Sequence, residues 1–212
     1  MRMRKLAPPA IVAALIIFCL GSTSLGATIG FRFTIAIGNP DQPTLRLENT
    51  SSDDIQLTDF LMTIGDTAYY FDYINGPFNQ TDPAGNLNAT LVLGDATGQD
   101  LVGTDLFEFL FTGFDPDDIA RFYPELDLDG SNSGTDCRSV FFNNGSADNA
   151  MVRVLFTAGS RLYPLSITLP DDEVKNYYEF TAARELPAVP LPGAAWLLGS
   201  GTLGLLLIRR RG

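Results

Sequence analysis

The chain has 212 residues, 45% of them hydrophobic, with 14 basic and 25 acidic side chains, a formal net charge of −11 and no histidine. Without imidazole there is no Ser-His-Asp or Cys-His triad, no histidine-ligated zinc and no ordinary neutral-pH general base. All 25 acids fall within residues 27–188 beside only eight basic residues, a net of −17, so nucleic acid and anionic headgroups are poor partners, while divalent cations, basic proteins and neutral polysaccharides remain open.

Arg2, Arg4 and Lys5 precede an apolar run over 10–20 and the small residues of Ser22-Thr-Ser-Leu-Gly-Ala27. This is the pattern of a secretory signal helix over 1–26, with Ser24 and Gly26 presented to a signal peptidase. Phe18 before Cys19 argues against a lipoprotein signal. With that segment removed, Cys137 is the sole cysteine. No internal disulfide can form, and burial beside Val140 and Phe141 is the expected fate of this thiol.

Residues 27–186 are long enough for one core. They read as short β-type runs at 28–37, 44–48, 55–64, 68–73, 87–93, 105–112, 138–142, 150–157, 162–169 and 176–181. Turn formers separate them: Gly38-Asn-Pro, Asn75-Gly-Pro, Asp82-Pro-Ala-Gly, Asn143-Asn-Gly and Ala158-Gly. Phe31-Arg-Phe-Thr-Ile-Ala-Ile37 alternates bulky apolar with other residues, and Val152, Val154 and Phe156 share a face. The spacing predicts a mainly β protein, an antiparallel β-sandwich of immunoglobulin-like or jelly-roll type. Asp115-Pro-Asp-Asp-Ile-Ala-Arg-Phe122 reads as a helical turn capped by Asp115, or equally as a loop leading into another strand.

Glu125-Leu-Asp127-Leu-Asp129-Gly130-Ser131-Asn132-Ser133-Gly134-Thr135-Asp136 carries oxygen ligands at alternating positions around a glycine turn. Glu125, Asp127, Asp129, Ser131, Ser133 and Asp136 are therefore candidate calcium ligands. The competing reading is an acidic hairpin turn with Leu126 and Leu128 inward. Asp136 and Arg138 are spaced for a local ion pair. Tyr69, Tyr70, Tyr177 and Tyr178 would serve sugar binding if they stood exposed and coplanar beside that loop. Paired carboxylates also leave room for a glycoside hydrolase, although with 25 acids some pair always lies at a suitable separation.

After residue 186 the composition changes. Pro187-Ala-Val-Pro190-Leu191-Pro192 leads into an apolar helix-compatible run over 193–208 and then Arg209, Arg210 and Arg211. Apolar run and terminal arginines describe a transmembrane helix with its basic end in the cytoplasm. At about 1.5 Å per residue it would measure roughly 24 Å, slightly short of a roughly 30 Å hydrocarbon core.

Val189-Pro-Leu-Pro-Gly-Ala-Ala-Trp-Leu-Leu-Gly-Ser-Gly-Thr-Leu-Gly-Leu-Leu-Leu-Ile-Arg-Arg-Arg211 resembles a PEP-CTERM sorting signal, with Leu191 where the family usually has glutamate. The resemblance implies that residues 187–212 are read by an exosortase in a Gram-negative bacterium that makes exopolysaccharide. Pro190, Leu191 and Pro192 would be processed as substrate after transient anchoring in the inner membrane. The body over 127–159 also looks like that of PEP-CTERM cargo proteins, which names no activity. The expectation is an exported, non-catalytic protein of the cell envelope or extracellular matrix, associated with biofilm exopolysaccharide. A calcium-dependent carbohydrate-binding module is the alternative.

Overall fold

The computed structural model describes residues 26–187 except 53, 95–103, 132, 143–147 and 172–174, and leaves aside the side chains of 79 and 80. The expected signal helix, the 143–145 turn, the 193–208 helix, Pro190–Pro192 and Arg209–Arg211 lie outside these residues. Among the described residues no helix is long and apolar enough to cross a membrane.

Alternating side chains build the strands as the sequence suggests. In β1 (Thr28–Ala36) Ile29, Phe31, Phe33 and Ile35 are fully buried, and β2 (Thr44–Asn49) turns Leu45 and Leu47 to the same side. The rest are β3 (Ile55–Thr63), β4 (Tyr69–Thr81), β5 (Asn88–Leu93), β6 (Leu106–Thr112), β7 (Ile119–Leu128), β8 (Met151–Ala158), β9 (Arg161–Thr168) and β10 (Tyr177–Glu185). A single short helix, α1 (Cys137–Phe141), stands between β7 and β8 among the described residues.

The strands form two antiparallel five-stranded sheets, in the orders β10-β1-β2-β7-β4 and β5-β6-β3-β8-β9. Their inner faces meet over a core dominated by phenylalanine. Phe122 of β7 stacks on Phe60 at 5.2 Å and on Phe109 at 5.0 Å, joining the two sheets. Asn49, fully buried, adds a polar tie: its Nδ2 donates to the carbonyls of Ile55 and Phe114 at 3.0 and 2.9 Å, while its Oδ1 accepts from Ser51 N–H. The first and last strands pair along their length, and Leu186 N–H donates to Ala27 O at 2.7 Å. Both ends of the domain therefore leave from one corner.

One open choice is decided and two local expectations need correction. Of the two readings of 115–122 the structure takes the loop leading into another strand and no helix: Asp117 has φ +69, a left-handed value that interrupts helical winding, and β7 begins at Ile119. Residues 138–142 form no strand. Asp136 caps α1 by accepting from Arg138 N–H, and Cys137, Val140 and Phe141 are buried on one helical face. Asn75-Gly76-Pro77 does not end β4, which runs on to Thr81 with register irregularities that absorb the glycine and proline.

Candidate functional site: the outer face of the first sheet

Because Phe31, Phe33, Leu45, Leu47, Ala120 and Phe122 point into the core, their neighbours on β1, β2 and β7 point outward. Cross-strand register then fixes what lies side by side. One row crosses all five strands as Glu179, Thr34, Arg46, Arg121 and Phe78. The next contains Thr181, Arg32, Glu48, Ile119 and Thr81. At roughly 4.8 Å per strand, each row extends about 19 Å.

Glu48 anchors two of the arginines, accepting from Arg46 at 2.8 Å and from Arg32 at 3.2 Å. Arg32 also approaches Glu179 at 3.8 Å. Arg121 differs. Its contact on this face is Tyr123 Oη at 3.4 Å, and among the described residues no acidic side chain stands within ion-pair distance of it. The Nε atoms of Arg32, Arg46 and Arg121 are all buried without hydrogen-bond partners, so the stems lie against the sheet and the guanidinium ends face outward. Phe78 is 49% exposed and meets Tyr123 edge-on at 5.8 Å; Tyr177, at the far strand, is 53% exposed. The face thus combines exposed aromatic rings with planar cations on a flat support.

The tyrosines singled out from sequence are not the ones displayed. Tyr70 and Tyr178 are buried, Tyr69 packs against the core and Tyr177 alone of the four is exposed. Tyr178 stacks on Phe142 at 4.0 Å, and Tyr70 Oη donates to the carbonyl of Ser131. The four make no coplanar platform. Phe78, Tyr123, Arg46 and Arg121 were missed, although the alternation of 119–128 carried the signal.

The proposed calcium ligands separate into three groups. Glu125 and Asp127 lie two apart on β7, with Asp127 3% exposed and its Oδ1 lacking a partner. Asp129 and Ser131 sit in a turn closed by Ser131 N–H on Leu128 O, and Ser133 contributes its carbonyl to Thr135. Asp136 is committed to α1 and to Arg138, whose Nε donates to Oδ1 at 2.8 Å; the Arg138 guanidinium holds the Asp136 carboxyl below its usual range. Burial, then the charges of Asp127, Asp72 and Asp41, raise Glu125; burial, then Asp72 and Asp41, raise Asp127. Asp41 reaches this group because its carbonyl accepts from Leu126 N–H and its side chain lies against Gly134, the bridge partner of Asp127. Among the described residues no set of three Asp, Glu or Cys side chains is arranged to hold a metal ion.

A second acid pair lies on the outer face of the other sheet. Burial, a hydrogen bond to Glu108 and the charge of Glu108 push the Asp59 carboxyl up to about 6, against the pull of Arg153. Carboxyls sharing a hydrogen bond are too close to flank a glycosidic bond, which needs about 5–9 Å between them. Cys137 is fully buried, as expected, and burial foremost raises its thiol to about 12.

No family model matches the chain, and no curated protein matches it. Among solved structures it is similar to the biomass-sensoring module of an Rsgi2 protein of Clostridium thermocellum, described as resembling a family 3 carbohydrate-binding module of the cellulosome. The TM-score is 0.31 and the identity 16%, over 66% of this chain and 97% of that one. The functional reading therefore rests on the chain's own residues.

Proposed function

We propose that the protein is exported, sorted by an exosortase through residues 187–212, and serves without catalysis in the cell envelope or extracellular matrix, where its β-sandwich holds polysaccharide. The observation that carries the binding half is the outer face of the β10-β1-β2-β7-β4 sheet. Exposed Phe78 and Tyr177 provide apolar faces for sugar rings, and Arg32, Arg46 and Arg121 provide fixed donors for their oxygens. Export and sorting rest on the resemblance of the tail and on the signal-like N-terminus. Affinity electrophoresis of the full-length chain in mild detergent, with and without the native host's exopolysaccharide in the gel, tests binding. Unchanged mobility would remove it. Fractionation of the host tests sorting: a full-length chain dissolved among cytosolic proteins would overturn it.

A second reading keeps calcium but moves it from the 125–136 loop to the junction of Asp41 and Asp127. It is favoured by two carboxylate oxygens, Asp41 Oδ1 and Asp127 Oδ1, that are buried without a donor. Buried acceptors left unpaired cost about 1–3 kcal/mol each. A cation shared by these two acids, without a third in place, would satisfy both oxygens. Thermal melts in calcium and in chelator test it, and coincident midpoints would dismiss it.

A further inference from the structure

We infer that the outer face of the β10-β1-β2-β7-β4 sheet selects carboxylate-bearing polysaccharide, with Arg46 and Arg121 gripping the acid group of a sugar whose neighbour stacks on Phe78. The inference rests on the reading of this face as a polysaccharide site and goes beyond it to the charge of the ligand.

Register supplies the main argument. Arg46 and Arg121 stand directly opposite one another on adjacent strands. Like charges in directly opposed positions destabilise a sheet. The domain has 25 acids available against eight basic residues, yet no acid lies between this pair. Glu48, two residues along the same strand, compensates Arg46, while among the described residues the side-chain partner of Arg121 on this face is Tyr123 Oη. An arrangement that costs stability in the free protein is relieved by an anion bound across both guanidinium groups, each a planar fork matched to carboxylate.

Position supplies the second argument. Phe78 is the cross-strand neighbour of Arg121 and is held edge-on by Tyr123, so an apolar ring face adjoins the cationic pair at one strand spacing, about 4.8 Å. Successive sugars of an extended chain are spaced on that scale, which lets one sugar stack while the next presents its carboxylate. The net −17 of the domain opposes indiscriminate uptake of polyanions, although at about 0.15 M salt that field is screened beyond about 8 Å. Retention of an acidic polymer must then come from this local reversal of sign.

The test compares mobility of the full-length chain in detergent gels containing polygalacturonate, the fully methyl-esterified polymer, or no polymer. Selective retardation by polygalacturonate is expected. Arg121→Gln should weaken that retardation about tenfold or more, as loss of a charge-assisted hydrogen bond implies, while leaving the melting midpoint unchanged or higher because it removes the like-charge contact. Phe78→Ala should weaken it independently. Equal retention by both polymers, with Arg121→Gln indistinguishable from the parent, would overturn the inference while sparing polysaccharide binding. Retention by the ester alone would do the same, and retention by neither, together with failure on native exopolysaccharide, would remove both.

Discussion

Replacing Asp59 with asparagine should stabilise the protein at neutral pH and do little in acid. Asp59 is 8% exposed, its Oδ1 lacks a hydrogen bond, and its carboxyl titrates at about 6 where an ordinary aspartate has 3.8. That difference corresponds to about 3 kcal/mol between its two protonation states. Below pH 3.8 the group is neutral in folded and unfolded chains alike, and its neutral form is accommodated beside Glu108. As pH rises the unfolded chain loses the proton first, so stability falls, and above about 6 the full penalty applies. The substituted amide carries no charge at any of these pH values. At about 2–4 °C per kcal/mol for a domain of this size, Asp59→Asn should melt roughly 6–12 °C higher at about pH 7.5 but within a degree or two of the parent at about pH 4. Calorimetric or circular-dichroism melts at the two pH values measure this. A variant that is destabilised at the higher pH, or offset equally at both, would refute the reasoning.

The buried polar tie gives a sharper loss: Asn49→Ala takes a donor from the Ile55 and Phe114 carbonyls, of which Phe114 O keeps the Leu57 N–H, and should cost about 1–3 kcal/mol in denaturant melts. Asn49→Asp should be worse at neutral pH, because it aims a charge at two carbonyls; parent-like stability would discredit the tie. Cys137, enclosed and raised to about 12, should resist alkylation at about pH 8 until the chain is denatured, and rapid labelling of folded protein would contradict the packing of α1. Gly65 has φ +88 and would place an added Cβ 2.3 Å from Asp148 O. Gly65→Ala should therefore lower stability by about 3 kcal/mol or more, and a neutral result would contradict the close approach of the turn after β3 to that carbonyl.

Strands with clean alternation were legible in the sequence. β1, β2, β3, β8 and β9 lie within a residue or so of the runs that predict them, because alternation sorts their side chains between core and solvent. The misreadings have local causes. Asp115 followed by Pro116 looks like a helix start, but Asp118 reaches back to accept from Asp115 N–H at 2.8 Å and is 1% exposed, closing a turn instead. Cys137, Val140 and Phe141 have helical spacing with Asp136 as cap; reading them as a strand overlooked the cap. The binding face was hidden by these same errors. With β4 stopped before Gly76 and 115–122 open to either a helical turn or a loop into another strand, Phe78 and Arg121 had no common surface, and only strand pairing brings them together. Tyrosine clusters, by contrast, were conspicuous but half inward, as alternation requires.

The hydrogen bond between Ala27 and Leu186 has a mechanical meaning. A pull transmitted through the C-terminal segment enters the domain at the end of β10, a border strand held to the sheet only by β1. Such a load opens the β1–β10 ladder one rung at a time, like a zipper, and reaches the stack of Phe180 and Tyr178 on Phe142 after the first rungs have parted. Tension applied at Leu186 would therefore part the terminal ladder long before the sandwich gives way.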